Sequence, residues 1–131
     1  MNKIKIEELS IGDWVQDKNG KYAQILGIEN WSDGYVLNVR INGVDVGCVP
    51  ASSAHPIPIT PEILEKNGFV KSDMYHYAPH ENECLSLQWY QHEHRLTLWG
   101  KDDIIDRMHC YYVHQLQHAL RLAGVDKEIT L

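Results

Sequence analysis

The sequence predicts an α+β protein, and three observations support that fold class. Two Asn-Gly pairs, Asn19-Gly20 and Asn42-Gly43, separate short alternating stretches in the front half, and Asn-Gly favours tight β-hairpins. A capped helical segment follows near residue 60, and the last third holds an apolar repeat with helical spacing. We therefore predict an SH3-like small β-barrel or a curved antiparallel sheet, a short helix, a second antiparallel hairpin or sheet, and a C-terminal amphipathic helix.

The front half of the chain is expected to form an antiparallel meander of four or five strands over residues 9–50. Polar and apolar residues alternate between the turns, as they do in half-buried strands. Short strands joined by tight turns often curl into a small barrel, and a plain curved sheet is the alternative. Pro50, Pro56 and Pro58 mark an extended connector, because proline fixes φ and lacks an N–H. We assign residues 1–58 to this β-rich, SH3-like subdomain.

A short helix is predicted over 60–67, and both of its ends are specified by local residues. Thr60 is a favourable N-cap, and Pro61 fits the first helical position. Gly68 should end the helix, because glycine readily adopts the left-handed conformation found there. Further along, alternating residues predict a hairpin over 84–99.

The closing helix is predicted over 107–123, with Asp106 as its N-cap. Its apolar stripe, at helical spacing, comprises Tyr112, Val113, Leu116, Ala119, Leu120 and Ala123. His114 and His118 fall on the opposite face, so we expect both to point away from the core. Residues 59–131 form an α+β subdomain, and we expect the two subdomains to make one compact unit.

Charge and hydropathy narrow the function classes. The twelve Lys and Arg residues are scattered in a chain of net charge −6, whereas nucleic-acid binders usually carry a basic patch. No apolar run approaches the roughly 20 residues of a membrane span. Residues 1–8 alternate charged and apolar side chains, unlike a signal peptide. We expect a cytoplasmic protein without membrane association.

The spacing of the cysteines and histidines does not match a known metal-binding motif. Cys48, Cys84 and Cys110 are widely spaced, with no C-x-x-C pair, which argues against a thiolate zinc site and a disulfide framework. His114 and His118 have the i,i+4 spacing by which a helix presents two imidazoles to zinc, but glutamine follows the first histidine where the zincin motif has glutamate. We predict no metal site and no cofactor, and this histidine pair comes closest to one.

Two further clusters have local explanations. Residues 92–94 (His-Glu-His) lie at a predicted hairpin tip, where polar side chains are normally exposed. Residues 102–106 (Asp-Asp-Ile-Ile-Asp) precede the closing helix, and acidic residues stabilise a helix N-terminus. Neither cluster predicts a cation site.

No catalytic motif stands out. The chain has no nucleophile elbow, P-loop or dinucleotide fingerprint, each of which needs a fixed glycine spacing. Cys110 and His114 are four residues apart and would meet on a helix surface, which leaves a Cys–His pair open. A third group to orient that pair is not identifiable. We expect no catalytic residues and no enzyme activity.

Aromatic residues suggest a binding surface instead. Trp31 lies in a predicted loop, and Tyr111 lies off the apolar stripe. Exposed Trp and Tyr are enriched at binding hot spots. The candidate binding residues are Trp31, Tyr35, Tyr111, His114 and His118.

Three segments carry a resemblance to a known family. They are IGDWV at residues 11–15, IPITPEILEKNGF at 57–69 and YVHQLQ at 112–117. With these motifs the chain resembles a family of small proteins encoded by gut bacteria and by their phages and mobile elements, and the match spans most of the chain. The resemblance implies a phage-related origin and the same order of elements. It implies no particular activity, ligand or catalytic residue.

We therefore expect a non-enzymatic protein-interaction or regulatory accessory protein, whose partner is a second copy or a host or phage protein. Self-association through the closing helix or an exposed strand edge would fit this role. Two alternatives remain open. A nucleic-acid-binding accessory would use the barrel face, with Tyr22, Trp31, Tyr35 and Arg40. A metal-dependent or Cys–His enzyme would use His109, Cys110, His114 and His118.

Overall fold

The fold is given by a computed structural model. It describes residues 4–71, 76–79, 85–90, 93–99, 104–122, 124 and 128–131. Two antiparallel sheets and two α-helices make up this part of the chain, so the fold class is α+β. The chain divides into two compact units, Met1–Ile57 and Pro58–Leu131.

The first unit holds a four-stranded sheet in the order β1-β2-β3-β4. Its strands are β1 (Trp14–Gln16), β2 (Tyr22–Trp31), β3 (Gly34–Ile41) and β4 (Val44–Pro50). Short 3₁₀ helices precede and follow the sheet, at Ile6–Glu8 and Ala51–Ser53. The meander predicted over residues 9–50 is therefore confirmed as four antiparallel strands.

Local residues determine the two Asn-Gly turns. Asn42 and Gly43 both have positive φ, at 50° and 78°, and they join the facing residues Ile41 and Val44. This is the conformation for which Asn-Gly is favoured in two-residue hairpins. In the first turn, the Asp17 carboxylate accepts hydrogen bonds from the backbone N–H groups of Asn19 and Lys21, at 2.8 and 2.9 Å.

The predicted SH3-like barrel is wrong, because the first sheet does not close on itself. Closing a sheet into a barrel requires its two edge strands to pair. The outer side of β1 pairs with His55 instead. The backbone N–H of Gln16 donates to the His55 carbonyl, and the N–H of His55 donates to the Gln16 carbonyl, both at 2.9 Å. The alternative expectation, an antiparallel sheet that is not a barrel, agrees with the structure.

The sheet of the first unit has two different faces. Leu37 and Val39 on β3 are buried, whereas Asn38 is half-buried and Arg40 is exposed, as expected when successive side chains alternate. We call the side of Leu37 and Val39 the core face and the other side the outer face. The buried apolar residues of this unit are Leu9, Val15, Ala23, Ile25, Leu37, Val39 and Ala54.

The second unit contains a five-stranded sheet in the order β5-β6-β7-β8-β9. Its strands are β5 (Phe69–Lys71), β6 (His76–Pro79), β7 (Leu85–Tyr90), β8 (Glu93–Trp99) and β9 (Ile104–His109). Its helices are α1 (Pro61–Lys66) and α2 (Val113–Leu122). β7 and β8 pair with Tyr90 opposite Glu93, at the position of the hairpin predicted over 84–99.

The first helix of this unit begins as its sequence indicates. The backbone N–H of Ile63 donates to the Thr60 hydroxyl at 3.2 Å, and Pro61 occupies the first helical position. This satisfies one of the N–H groups that a helix start leaves without an intrahelical acceptor. Gly68 follows with φ of 80°, the left-handed conformation that ends many helices.

The helix predicted over 107–123 is wrong in its first part. Ile104–His109 form strand β9, which pairs with β8 and sets Asp106 opposite Leu98. Asp106 therefore lies in a strand and is not the N-cap of α2, which begins at Val113. Pairing with a neighbouring strand outweighs the local helix signals here, because strand preference depends mainly on tertiary context.

A buried asparagine joins the last residues to the rest of the second unit. The backbone N–H of Thr130 donates to Asn67 Oδ1 at 2.7 Å, and Asn67 Nδ2 donates to the Thr130 carbonyl at 2.8 Å. Asn67 Nδ2 also donates to the Ile63 carbonyl at 2.8 Å. Ile129 is buried beside this contact in sequence. In the part of the chain that the structure describes, neither α-helix has the length and apolar character needed to cross a bilayer.

Candidate functional site

The predicted binding residues divide between the two units. Tyr111, His114 and His118 lie in the second unit, and Trp31 and Tyr35 lie in the first. The candidates therefore form two separate groups. Cys84, His92, Asp102, Asp103 and Ala123, which also entered the sequence predictions, lie outside the described residues.

In the second unit, five rings follow one another through the junction between β9 and α2. His109 stacks on Tyr111 with ring centroids 5.7 Å apart, and Tyr112 stacks on His114 at 5.9 Å. Tyr111 meets Tyr112 at a tilt at 6.4 Å, and His118 meets His114 edge-on at 6.0 Å. The Tyr111 hydroxyl lies 3.4 Å from His109 Nδ1. The row runs from exposed His109 to buried His114, as expected of packed aromatic side chains.

Gln115 holds the start of α2 in place. Its side-chain Oε1 accepts hydrogen bonds from the backbone N–H groups of Tyr111 and Tyr112, at 2.9 and 3.1 Å. A glutamine at the third helical position that reaches back to the N-cap N–H is one half of a capping box. Because this cap fixes both tyrosine backbones, it also fixes where the row of rings lies.

The sequence predicts that His114 points away from the core. In the structure this residue is buried instead, with 1% exposure. The buried positions of α2 are Val113, His114, Leu116, Gln117, Ala119 and Leu120, so they extend beyond the predicted apolar stripe. His118 is half-buried. No group of three His, Cys, Asp or Glu side chains that could hold a metal ion occurs among the described residues. A zinc site normally needs at least three protein ligands.

Cys110 is poorly suited to be a nucleophile. Its thiol is buried, and burial raises its pKa to about 12, because the charged thiolate would lose its hydration. Only the thiolate is an effective nucleophile or metal ligand. Cys48, by contrast, is exposed.

Trp31 and Tyr35 lie at the end of the β2–β3 hairpin, on opposite faces of the sheet. Trp31 faces Gly34 and Asn30 faces Tyr35, and adjacent positions of a strand point to opposite sides. Both rings are exposed. The Trp31 indole N–H donates to Glu29 at 3.1 Å. The structure therefore does not combine these two rings into one contact face.

Arg40, the cation of the proposed nucleic-acid face, is engaged in an ion pair. Its Nε lies 2.8 Å from Asp45 Oδ1. The Asp45 carboxylate accepts this hydrogen bond and raises the pKa of the guanidinium. A carboxylate at this distance offsets the positive charge that a phosphate would need, which weakens the case for nucleic acid on the outer face.

The β4 edge of the first sheet carries two exposed apolar side chains. Val44 and Val46 face Ile41 and Val39, so both lie on the core face of the sheet, yet they are 62% and 39% exposed. Among the residues that the structure describes, no strand pairs with the outer side of β4. An edge strand presents unpaired N–H and C=O groups, which are a template for another strand.

The second half of β4 is irregular. Between Leu37 and Val39 the register shifts, so that Gly47 and Cys48 stand opposite Asn38. Cys48 has φ of 58°, which is uncommon for a residue with a side chain. Such a bulge bends a strand away from further pairing. The accessible part of the edge is therefore its first half.

No feature of the sequence indicates this edge directly. The Asn42-Gly43 turn and the alternation of Val44 and Val46 predict the strand, but whether a strand is central or at an edge depends on distant pairing. The low charge of β4, with Asp45 as its only ionisable residue other than Cys48, is the one available signal, because protected edges often carry lysine.

No protein-family model, curated protein or solved structure matches this chain.

Proposed function

We propose that this protein is a non-enzymatic interaction module that binds its partner by adding a strand to the β4 edge. One observation carries the proposal: Val44 and Val46 are exposed on the core face of an edge strand. A partner strand would pair with the open backbone groups and cover both valines with its own apolar residues. Backbone pairing supplies affinity in this binding mode, and alternate side chains supply specificity.

The opposite edge of the same sheet supports this assignment. The outer side of β1 is occupied by the two hydrogen bonds between Gln16 and His55. Of the two edges, only β4 offers an unoccupied side within the described residues. Its Asp45 is paired with Arg40, so no uncompensated charge opposes an incoming apolar strand.

The role of regulatory accessory protein, its phage-related origin and its cytoplasmic location are part of the proposal. The phage-related origin rests on the resemblance of residues 57–69 and 112–117 to small proteins of gut bacteria and their phages. The enzyme alternative has less support, because burial keeps the Cys110 thiol protonated.

Photo-crosslinking tests the interaction surface in the living cell. A benzoylphenylalanine at position 44 should yield a defined crosslinked product, and the same residue at position 11 should not. Ile11 is a matched control, since it is 65% exposed compared with 62% for Val44 and lies outside the strands. The product should disappear in Val46→Lys, because a charge opposite an apolar strand opposes pairing.

The result needs confirmation with purified components. The crosslinked species, identified by mass spectrometry, should form again from the purified proteins. It should protect from hydrogen exchange the amide of Asp45, which points away from β3. No product at position 44, or equal products at positions 44 and 11, would contradict strand addition at β4. Salt-sensitive binding of DNA or RNA that Trp31→Ala abolishes would favour the nucleic-acid alternative instead.

A further inference from the structure

We propose that Asn42 is a site of spontaneous covalent modification, where the folded chain converts a side-chain amide to a carboxylate faster than at its other Asn-Gly pairs. The chain contains three such pairs, at residues 19–20, 42–43 and 67–68. All three carry the same reacting groups, so the fold decides which of them reacts first. The reaction needs no partner protein and is therefore independent of strand addition at β4.

The reaction, deamidation, joins the asparagine side chain to the backbone nitrogen of the glycine that follows. Hydroxide removes the proton of the Gly43 N–H, and the nitrogen attacks Cγ of Asn42 to form a new C–N bond. The former amide nitrogen takes a proton from water, which regenerates hydroxide, and leaves as ammonia. Water then opens the cyclic imide. Opening at Cγ gives aspartate, whereas opening at the backbone carbonyl gives isoaspartate. One water is consumed and one ammonia released, without oxidation or reduction.

The Asn42-Gly43 turn leaves both reacting groups accessible. Both residues are exposed, and no atom lies within 4 Å of the position that a Cβ on Gly43 would occupy. In the part of the chain that the structure describes, no hydrogen bond engages the Gly43 N–H. Hydroxide can therefore reach this N–H without breaking a hydrogen bond, and the attacking nitrogen is not shielded.

The Asn19-Gly20 turn is also exposed, but hydrogen bonds hold it. The Gly20 N–H donates to the Asp17 carbonyl at 3.0 Å. The Asp17 carboxylate accepts from the N–H groups of Asn19 and Lys21, at 2.8 and 2.9 Å. Removing the Gly20 proton would break a hydrogen bond and leave negative charge beside a carbonyl oxygen. We expect this pair to react about fivefold more slowly than the pair at 42–43, the factor that corresponds to one hydrogen bond.

The Asn67-Gly68 pair is protected on both sides of the reaction. The Gly68 N–H donates to the Glu65 carbonyl at 3.1 Å. The buried Asn67 amide donates to the carbonyls of Ile63 and Thr130, both at 2.8 Å. Ring closure would require these hydrogen bonds to break together in a local opening. We expect the reaction here to be slower by at least about a hundredfold than in the β3–β4 turn.

The isoaspartate product would change the β3–β4 hairpin. It inserts a methylene group into the main chain of a turn whose flanking residues, Ile41 and Val44, face each other. The length of such a loop fixes the register of its strands, so the lengthened turn no longer fits this pairing. The aspartate product keeps the backbone unchanged and adds only a negative charge. The hairpin therefore acquires a loosened form as the protein ages.

Peptide mass spectrometry of the folded, full-length chain tests the order of reaction during incubation at mildly alkaline pH. Trypsin cuts after Lys18, Arg40 and Lys66, so each Asn-Gly pair falls in a different peptide. Digestion in water labelled with heavy oxygen identifies any deamidation that occurs during digestion. The peptide that begins after Arg40 should convert first and the peptide that begins after Lys66 last. In urea the three rates should converge, because the hydrogen bonds that separate them are lost.

Asp17→Ala tests the cause of the difference between the two exposed turns. The substitution removes the carboxylate that holds the first turn, so deamidation of Asn19 should accelerate toward the rate at Asn42. The rate at Asn42 should not change. Circular dichroism checks that the variant is folded.

Hydrogen exchange of the Val44 amide tests the structural consequence. Exchange should accelerate in the aged protein, whereas Asn42→Asp, which reproduces the aspartate product, should keep the protection of the unmodified chain. Equal protection in the aged and the fresh protein would overturn the loosened hairpin.

Three results would overturn Asn42 as the preferred site. They are equal rates at the three pairs in the folded chain, faster conversion at 19–20 than at 42–43, and a difference between the pairs that persists unchanged in urea.

Discussion

The two units of this protein differ in how backbone N–H and C=O groups outside the regular ladders and helices find hydrogen-bond partners. In the second unit, side chains bind them: Asn67 pairs with both backbone groups of Thr130, and Gln115 accepts from the two N–H groups that precede α2. In the first unit, His55 covers the β1 edge, whereas the outer side of β4 has no strand partner within the described residues. The chain thus has ways to satisfy such groups, and this difference is the reason why the proposed partner is assigned to β4.

The largest expected effect comes from removing the contact between Asn67 and Thr130. Asn67→Ala removes both hydrogen bonds to Thr130 and leaves the backbone without its amide partner. We expect the free energy of unfolding to fall by about 2 kcal/mol, because each of the two lost hydrogen bonds contributes about 1 kcal/mol. Denaturation with urea measures the change.

Thr130→Ala is the matched control for this prediction. It keeps the backbone bonds to Asn67 and removes only the 3.4 Å contact of the hydroxyl. We expect a change of no more than about 0.5 kcal/mol, as is usual for exposed sites. Equal losses in the two variants would show that Asn67 does not hold the end of the chain through its amide.

The second prediction compares the buried and the exposed cysteine by pH. Burial raises the pKa of Cys110 from 9.0 to about 12. Between these values the unfolded chain releases the thiol proton and the folded chain keeps it. The folded state therefore binds more protons, and stability should fall as pH rises through this window, by at most about 1.4 kcal/mol per pH unit.

Cys110→Ala isolates this contribution from the lysines and tyrosines that titrate in the same range. The variant should lose stability less steeply between pH 9 and 12 than the wild type. Alkylation of the native protein at neutral pH should modify Cys48 and spare Cys110. Parallel pH profiles for the two chains, or rapid alkylation of Cys110 in the folded state, would be incompatible with a buried thiol.

The helix cap is expected to contribute less than the Asn67 contact. Gln115→Ala removes the acceptor for the N–H groups of Tyr111 and Tyr112, and we expect a loss of about 1 kcal/mol, in the range of other capping side chains. Gln115→Glu keeps an acceptor oxygen near the positive end of α2 and should retain stability. A greater loss in Gln115→Glu than in Gln115→Ala would argue against capping.

The smallest effect on stability is expected at the open edge itself. Val46 is 39% exposed, so Val46→Thr should change the free energy of unfolding of the monomer by less than about 0.5 kcal/mol. The same substitution should weaken the crosslink at position 44, because it removes apolar surface that the added strand would cover. A large loss of monomer stability would mean that Val46 belongs to the core and not to an interface.

Features set by a few neighbouring residues could be predicted from the sequence. The Asn42-Gly43 hairpin follows from two residues that tolerate positive φ. The start of α1 follows from Thr60, whose hydroxyl is reached by the N–H three residues later. The α+β class and the four-stranded meander depend on such signals, which is why they agree with the structure.

Features that depend on distant partners could not be predicted in this way. The sequence predicts a helix from residue 107, whereas residues 107–109 are the end of β9, because the pairing of β9 with β8 is a tertiary contact. The sequence predicts His114 on the solvent-facing side of α2, but the residue is buried, because the buried surface of α2 is wider than the predicted apolar stripe. Asn67 and Thr130 are 63 positions apart. Likewise, whether the outer side of β4 has a strand partner depends on residues that are distant in the sequence.

The most direct test of the β4 assignment compares hydrogen exchange at the two edges of the first sheet with and without the partner recovered by crosslinking at position 44. The amide of Asp45, which alternates with those of Val44 and Val46 and points away from β3, should gain protection when the partner binds, and the amides of residues 14–16 should show no change, because their edge is already bridged to His55. Unchanged protection at β4, or a gain at β1, would contradict the account.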